Sequence, residues 1–384
     1  MNLNTDNDHA DLREAVRSLC EEFPGSYWQS LEPDGYPTEF VDTLTRNGWL
    51  SVLIPQEFGG GGATLTEASI VLEEISASGG NPAACHAQMY VMGTLLRHGS
   101  PEQKAQYLPK IAKGELRLQA FGVTEPDAGS ETTKIRMRAE RVDAGWKING
   151  QKIWTSRAEH SDLMVLLART TPLSDVDKPS AGMSVFLFDM RNLPGLTIKP
   201  IKTMMNHNTT EVFFEDVIIP ADSLIGEEGK GFKYILDGMN AERILISAEC
   251  IGDGRFFLER AVAYANAREV FGSSIGKNQG VQFPLAAAYM QLRAADLVRF
   301  DAAARYDRHE ECGALANQAK YLAAEASWAT ANAAIDTFGG FGFAREYDIE
   351  RKFRETRLYK TAPINNNLVL AHVANHVLGL PKSY

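Results

Sequence analysis

The hydrophobic pattern changes period twice along this chain of 384 residues, and that change constrains the fold more than any other feature. Residues 8 to about 118 carry a helical period. The spacing predicts helices over Ala10–Phe23, Pro37–Gly48, a segment from Thr64 or Thr66 to Ser78, Pro82–His98 and Pro101–Lys113. Gly48 suits the position just past a helix end, Thr64 or Thr66 can cap, and Pro82 and Pro101 sit near first turns, where a missing N–H costs nothing. From 119 the apolar runs become short and rich in Val, Ile, Phe and Leu. They are Leu118–Val123, Ile135–Val142, Gly145–Asn149, Leu163–Ala168, Ser184–Asp189, Leu196–Pro200 and Glu211–Ile219, separated by Gly, Asn, Asp or Pro. That is the pattern of a compact β domain. Trp146–Gly150 reads as a strand turning at Asn-Gly. From Gly229 the helical period returns in long segments near 230–268, 280–310, 314–337 and 364–378, which suggest a bundle of antiparallel helices. The expected domains are therefore 1–118 helical, 119–226 β, and 227–384 helical. Residues 171–182, rich in Pro, Ser, Asp and Gly, read as a loop.

Composition narrows the function. A net charge of −10 disfavours nucleic acid as a partner, since that needs a basic stripe, but leaves room for an anion at a local Arg or a helix N-terminus. No run of about 18 apolar residues exists, so no membrane span is expected. Cys20, Cys85, Cys250 and Cys312 have neither metal-ligand nor CxxC spacing and read as reduced core thiols. The eight His show no ligand spacing with carboxylates, so no metal is expected. The start, MNLNTDNDHADLREAV, lacks the apolar stretch of a signal peptide, and the end, GLPKSY, is no peroxisomal address. A bacterial cytoplasmic protein is the simplest expectation.

Three segments carry chemistry. Phe121–Ser130, FGVTEPDAGS, leaves a strand for an irregular loop; Thr124 and Ser130 offer hydroxyls, and Ala128 and Gly129 let backbone N–H groups approach an anion. It is either a decorated turn or a cofactor cradle. Gly150–Ser156, GQKIWTS, sets Trp154 beside two hydroxyls, where it could stack on a planar ring or close a strand end. Phe338–Phe343, FGGFGF, lies between two helices as a corner or a phosphate site, and lacks the strand and spacing of a dinucleotide fingerprint.

Together TEPDAGS at 124–130, QKIWTS at 151–156, AREVFG at 267–272, GVQF at 280–283 and TFGGFGFAREYDIERKFRET at 337–356 resemble the acyl-CoA dehydrogenase family, in the same order and spacing over nearly the whole chain. The resemblance implies an α+β fold: an N-terminal all-α domain, a central β-barrel-like domain and a C-terminal four-helix bundle, usually in a homotetramer. It implies FAD. It places Phe121, Val123, Thr124, Gly129 and Ser130 against the flavin and its pyrophosphate, with Ser130 also near the acyl-CoA. Trp154 and Ser156 flank the ring. Arg268, Phe271 and Gln279, with Asp336, Gly339 and Gly340, reach the FAD of a neighbouring subunit. Asp336 departs from the family, which commonly has Gln there, and a carboxylate at that place needs a donor.

The reaction implied is removal of an α-proton beside a thioester, with β-hydride transfer to flavin, giving a 2,3-enoyl-CoA and passing electrons to an electron-transferring flavoprotein. Stabilising the developing enolate and supplying a desolvated carboxylate base are the protein's tasks. Many relatives carry that base late in the chain, in a segment like YEGTS. Here the corresponding position, within Lys360–Asn365, is Pro363, which cannot be a base. Isovaleryl-CoA and long-chain acyl-CoA dehydrogenases instead place a Glu on an earlier helix, and Asn240-Ala-Glu242-Arg243 resembles that segment, 26 residues before Arg268. Glu242 is thus the expected base, with Asn240 and Arg243 near the substrate; the bland alternative is a solvated helix charge or a partner for Arg243. Glu249, one register deeper, is discounted, and Glu125 is expected to support its loop. Two other readings of the same fold are a flavin oxidase or monooxygenase and an inactive acyl-CoA-binding homologue.

Overall fold

The structure is a computed structural model that describes residues 9–382; the first eight residues and the last two of GLPKSY, read above for targeting signals, lie outside the described residues. Helices α1 (Ala10–Glu21), α2 (Gly25–Ser30), α3 (Thr38–Arg46), α4 (Leu65–Ala77), α5 (Ala83–His98) and α6 (Pro101–Ala112) come first. Strands β1 (Leu118–Gly122), β2 (Arg138–Val142), β3 (Gly145–Ser156), β4 (Leu163–Arg169), β5 (Met183–Asp189), β6 (Leu196–Pro200), β7 (Thr209–Ile219) and β8 (Leu224–Ile225) follow. Then come α7 (Gly231–Ala267), a small ribbon of β9 (Glu269–Val270) and β10 (Ser273–Ser274), and helices α8 (Gln279–Asp307), α9 (Gly313–Phe338), α10 (Ile349–Thr356) and α11 (Asn366–His372). The expected order of helices, sheet and helices is what the chain adopts. No helix of the described residues is long and apolar enough to cross a membrane. All four cysteines are buried, and none is in a disulfide.

Local chemistry sets the helix starts. Thr64, not Thr66, caps α4: its Oγ1 accepts the Glu67 N–H, and Glu67 accepts the Thr64 N–H, a reciprocal capping box. Ser100 and Gln103 do the same for α6, with Pro101 in the first turn. Gly48, just past α3, is left-handed at φ 79°, a conformation that glycine adopts without strain.

The chain divides into two compact units, residues 33–63 with 83–239, and residues 1–32, 64–82 and 240–384. The sheet belongs to the former, with strand order β6-β7-β3-β2-β4-β5-β8 and β1 added parallel to β4. β4 and β5 are buried on both faces, so they read as unbroken apolar runs. Leu163, Val165 and Leu167 pack with Val91, Leu95 and Leu108 of α5 and α6; Met164, Leu166 and Phe186 pack with Trp146, Val212 and Phe214. The expected turn at Asn149-Gly150 does not occur, because β3 runs straight through it. The positive φ of Gly150, 140°, and of Asp216, 50°, serves a bulge that places one extra residue on β7, where Asn149 and Asp216 exchange hydrogen bonds. A Cβ on Gly150 would lie 3.1 Å from the Met137 backbone, so a side chain there would be crowded as well as strained.

The other unit is helical. Small residues of α9, among them Ala331 and Ala334, share a buried core with Phe256, Phe257 and Ala261 of α7. Charges are buried with them. Glu73 of α4 receives Arg13 (3.1 Å), Arg255 (2.6 Å) and Arg299 (2.8 Å). Burial alone would raise the Glu73 carboxyl, but Arg299, Arg255 and Arg13 outweigh it and hold the group at about 2, below its ordinary 4.5. Asp253 of α7 lies 2.6 Å from Lys352 of α10, and its carboxyl is pushed up by burial to about 7 although Lys352 pulls it down.

Arg299→Met takes one of three arginines from Glu73 and leaves the buried Asp296 only Arg293 at 3.5 Å, and urea unfolding should report a loss of about 3 kcal/mol. Because the folded Glu73 titrates below its unfolded value, its contribution is complete above pH 4.5 and is lost as pH falls toward 2. Acid titration of Glu73→Gln should therefore show a shallower fall over that window than the parent protein.

Candidate functional site

The two motif segments of the sheet unit are held together by a buried ion pair. Glu125 accepts the backbone N–H groups of Arg136 (2.6 Å) and Met137 (3.0 Å), and the Lys152 ammonium donates to it at 2.8 Å and to the Val123 carbonyl at 2.9 Å. Burial draws the Lys152 ammonium down to about 8 against the pull of Glu125. Glu125 therefore supports its loop, as expected, while Lys152 has a part that the sequence reading missed. A Lys two residues before a Trp in a strand is signal enough only once its neighbour across the sheet is known. The Ile153 N–H donates to the Thr124 carbonyl at 2.9 Å, joining β3 to the 121–130 loop, and Glu125 and Ala128 close that loop with mutual backbone bonds of 3.2 and 3.1 Å.

With this loop fixed, the expected residues sort by exposure. Glu125, Ala128 and Lys152 are buried; Gly129, Ser130 and Trp154 are exposed, and Phe121, Val123, Thr124 and Ser156 are half-buried. Trp154 is 57% exposed at φ 60°, in the left-handed region that a bulky residue adopts only under constraint. The cause is a second bulge: Lys152 faces Val212 but Thr155 faces Thr210, one extra residue on β3, which turns the indole outward. Open space surrounds a Cβ built on Gly129. The Phe121 ring stands edge-on to Tyr90 of α5 at 5.4 Å, and Tyr90 in turn meets His86 at 5.3 Å.

The helical unit holds the rest. Arg268, Phe271, Gln279, Asp336, Gly339 and Gly340 are all exposed, and Phe271 is fully so. The Arg268 guanidinium lies 5.7 Å from the Phe341 ring, which brings the β9–β10 ribbon to the glycine-rich corner. A Cβ on Gly339 or Gly340 would meet nothing within 4 Å, and Gly339 has φ 58°. Asp336 stays on the surface, a place where a carboxylate is solvated.

Glu242 is 3% exposed on α7, so it is not a solvated helix charge. Arg243 beside it donates to Asn240 Oδ1 at 3.1 Å, and burial pulls its guanidinium down against the attraction of Glu242. Glu249 and Asp253 share the buried side of the same helix. Pro363 sits in the turn that joins α10 to α11 and brings no titratable group there.

Comparison with known proteins is consistent across the chain. Family models match residues 6–115 (acyl-CoA dehydrogenase, N-terminal domain), 120–217 (middle domain) and 229–378 (C-terminal domain). An acyl-CoA dehydrogenase of Mycobacterium bovis, fadE12, is 35% identical over 379 residues, covering 97% of this chain and 96% of the relative. The solved glutaryl-coenzyme A dehydrogenase in complex with glutaryl-CoA superposes with a TM-score of 0.90 at 30% identity, covering 100% of this chain and 98% of that one. PigA with FAD and proline superposes at 0.90 with 26% identity, over 99% and 100% of the two chains.

Glu125→Ala leaves the Lys152 ammonium buried without its counter-charge, and urea unfolding near pH 7 should report a loss of about 3–5 kcal/mol. Lys152 in the folded chain releases its proton below the unfolded value of 10.5, so the variant's stability should recover as pH rises toward that value. An equal loss at pH 7 and pH 9.5 would contradict the assignment.

Proposed function

The chain belongs to the acyl-CoA dehydrogenase family, and on that premise we propose that it is a FAD-dependent enzyme oxidising an acyl-CoA to the 2,3-enoyl-CoA with Glu242 as the base. The observation that carries this reading is a carboxylate buried on α7, flanked by Asn240 and Arg243, in a chain whose 360–365 turn offers Pro363. A buried carboxylate without water around it is a stronger base for a weak C–H acid than an exposed one.

The residues suit FAD. An outward-facing indole, the hydroxyls of Thr124, Ser130 and Ser156, and the open space at Gly129 match a planar ring joined to a pyrophosphate. When bound, the flavin supplies the acceptor for the β-hydride. In this reading Phe121, Val123 and Trp154 hold the ring, and Ser130 reaches the pyrophosphate and the thioester end of the substrate. Glu242 takes the α-proton, while Asn240 and Arg243 orient the substrate. Arg268, Phe271, Gln279, Gly339 and Gly340 serve the FAD of a neighbouring copy, and Asp336 requires a donor on that FAD, such as a ribose hydroxyl. Reduced enzyme passes electrons to an electron-transferring flavoprotein.

A neighbouring copy also fits the surface of α8. Phe283, Met290 and Leu297 recur every seven residues and are 61%, 65% and 61% exposed, an apolar stripe that a homotetramer would cover.

Anaerobic mixing with butyryl-, isovaleryl-, palmitoyl- and cyclohexanecarbonyl-CoA tests the reaction: one of them should bleach the flavin, and bleaching by none would sink the dehydrogenase reading. Glu242→Gln should keep FAD and bleach about 10²–10⁴-fold more slowly. An oxidase on this fold would instead show rapid reoxidation of the reduced flavin by O2. Met290→Glu combined with Leu297→Glu should reduce the sedimenting mass to half or less, and an unchanged mass would remove the stripe from the interface.

A further inference from the structure

Lys152 takes a core-facing place in β3 and is 0% exposed. An apolar residue of similar volume could fill that place, and replacing a buried ion pair in this way is often neutral or stabilising. What the lysine adds is an ammonium that donates to Glu125 at 2.8 Å and to the Val123 carbonyl at 2.9 Å. Gly122 leaves room for its stem, since a Cβ there would come 3.5 Å from Lys152 Cγ and 3.0 Å from Leu166.

The bond to Val123 fixes a peptide plane. The 123–124 peptide is trans, so its C=O and the Thr124 N–H point in opposite directions. With the Val123 carbonyl turned inward to the buried ammonium, the Thr124 N–H is turned outward, and no hydrogen bond among the described residues uses it. The next peptide is held as well: the Thr124 carbonyl accepts from Ile153 at 2.9 Å, and the Glu125 N–H donates to the Ala128 carbonyl at 3.2 Å. Glu125 is itself anchored by the Arg136 and Met137 N–H groups, so the ammonium hangs from a fixed carboxylate. The loop thus keeps an unused backbone donor beside the half-buried Thr124 hydroxyl.

We propose that Lys152 is a positioning residue for the flavin: by holding the Val123 carbonyl inward, it aims the Thr124 N–H at the FAD ring. The inference rests on the reading of residues 121–130 as the FAD cradle, and it adds which side chain sets the cradle's backbone donor. A donor aimed at the ring favours the form with more electrons, because hydrogen bonds to a more negative acceptor are stronger. Lys152 therefore bears on how tightly FAD is held and on how easily it is reduced.

The test compares FAD-loaded variants with the parent protein. Lys152→Met should raise the FAD Kd about tenfold, the loss of one aligned hydrogen bond. Reduced FAD should lose about a further tenfold, read as a fall of about 30 mV in the two-electron midpoint potential. Val217→Ala, which opens the sheet core opposite Ile148 and away from the loop, should lower Tm and leave Kd and potential in place. If Lys152→Met does not fold, the double variant Glu125→Gln/Lys152→Met, which buries no unpaired charge, takes its place with the same expectation. An unmoved midpoint potential, or equal changes in Val217→Ala, overturns the proposal while the parent still binds FAD. A parent protein that binds no FAD removes the cradle reading and this inference together.

Discussion

Burying charge on α7 dictates how the helices around it are built. Glu242, Glu249 and Asp253 lie on its covered side, and Arg255 follows. A buried ion without a partner costs several kcal/mol, so its packing neighbours carry the opposite charge. Arg255 meets Glu73 and Glu74 of α4, which also receive Arg13; Arg299 of α8 completes the group. Asp253 meets Lys352, and Lys352 and Arg351 share Glu355. These ion pairs join α1, α4, α7, α8 and α10.

The sheet unit solves a different problem. Here an aromatic side chain is presented outward from a strand whose alternate residues point into a core. The extra residue before Thr155 breaks the alternation once, freeing Trp154 while Thr155 remains buried. Left-handed backbone at a Trp costs on the order of 1–3 kcal/mol, and the surrounding ladder with β7 overrides it. The loop that faces the indole's strand is loop only in name, because Glu125 ties it to two backbone N–H groups and to Lys152. Gly129 can then stay open at its tip.

The element types and the order of helices, sheet and helices were legible because periodicity and capping are local. Thr64 with Glu67, Ser100 with Gln103, and the double-sided apolar runs of β4 and β5 announce themselves within a few residues. Asn149-Gly150 misled for the same reason. The pair tolerates positive φ wherever it is needed, and whether that becomes a turn or a bulge depends on Asp216, more than sixty residues away. The flavin motifs were legible as composition, but not the bulge that turns Trp154 out, since a register shift belongs to two strands at once.

What the sequence determined by itself is the kind of protein: the family motifs in order, the absence of a carboxylate at Pro363, and a Glu at 242 in an Asn-Ala-Glu-Arg segment. What only the tertiary structure decided is the state of that Glu. A helical carboxylate is exposed or buried according to which neighbours cover it, and α7 is apolar enough on several sides to leave the question open. The fold covers it, and on α9 a buried lysine, Lys320, ties down the turn around Pro363. The reason is range: a motif spans a few residues, whereas burial and charge are set by helices that meet only after the chain has folded.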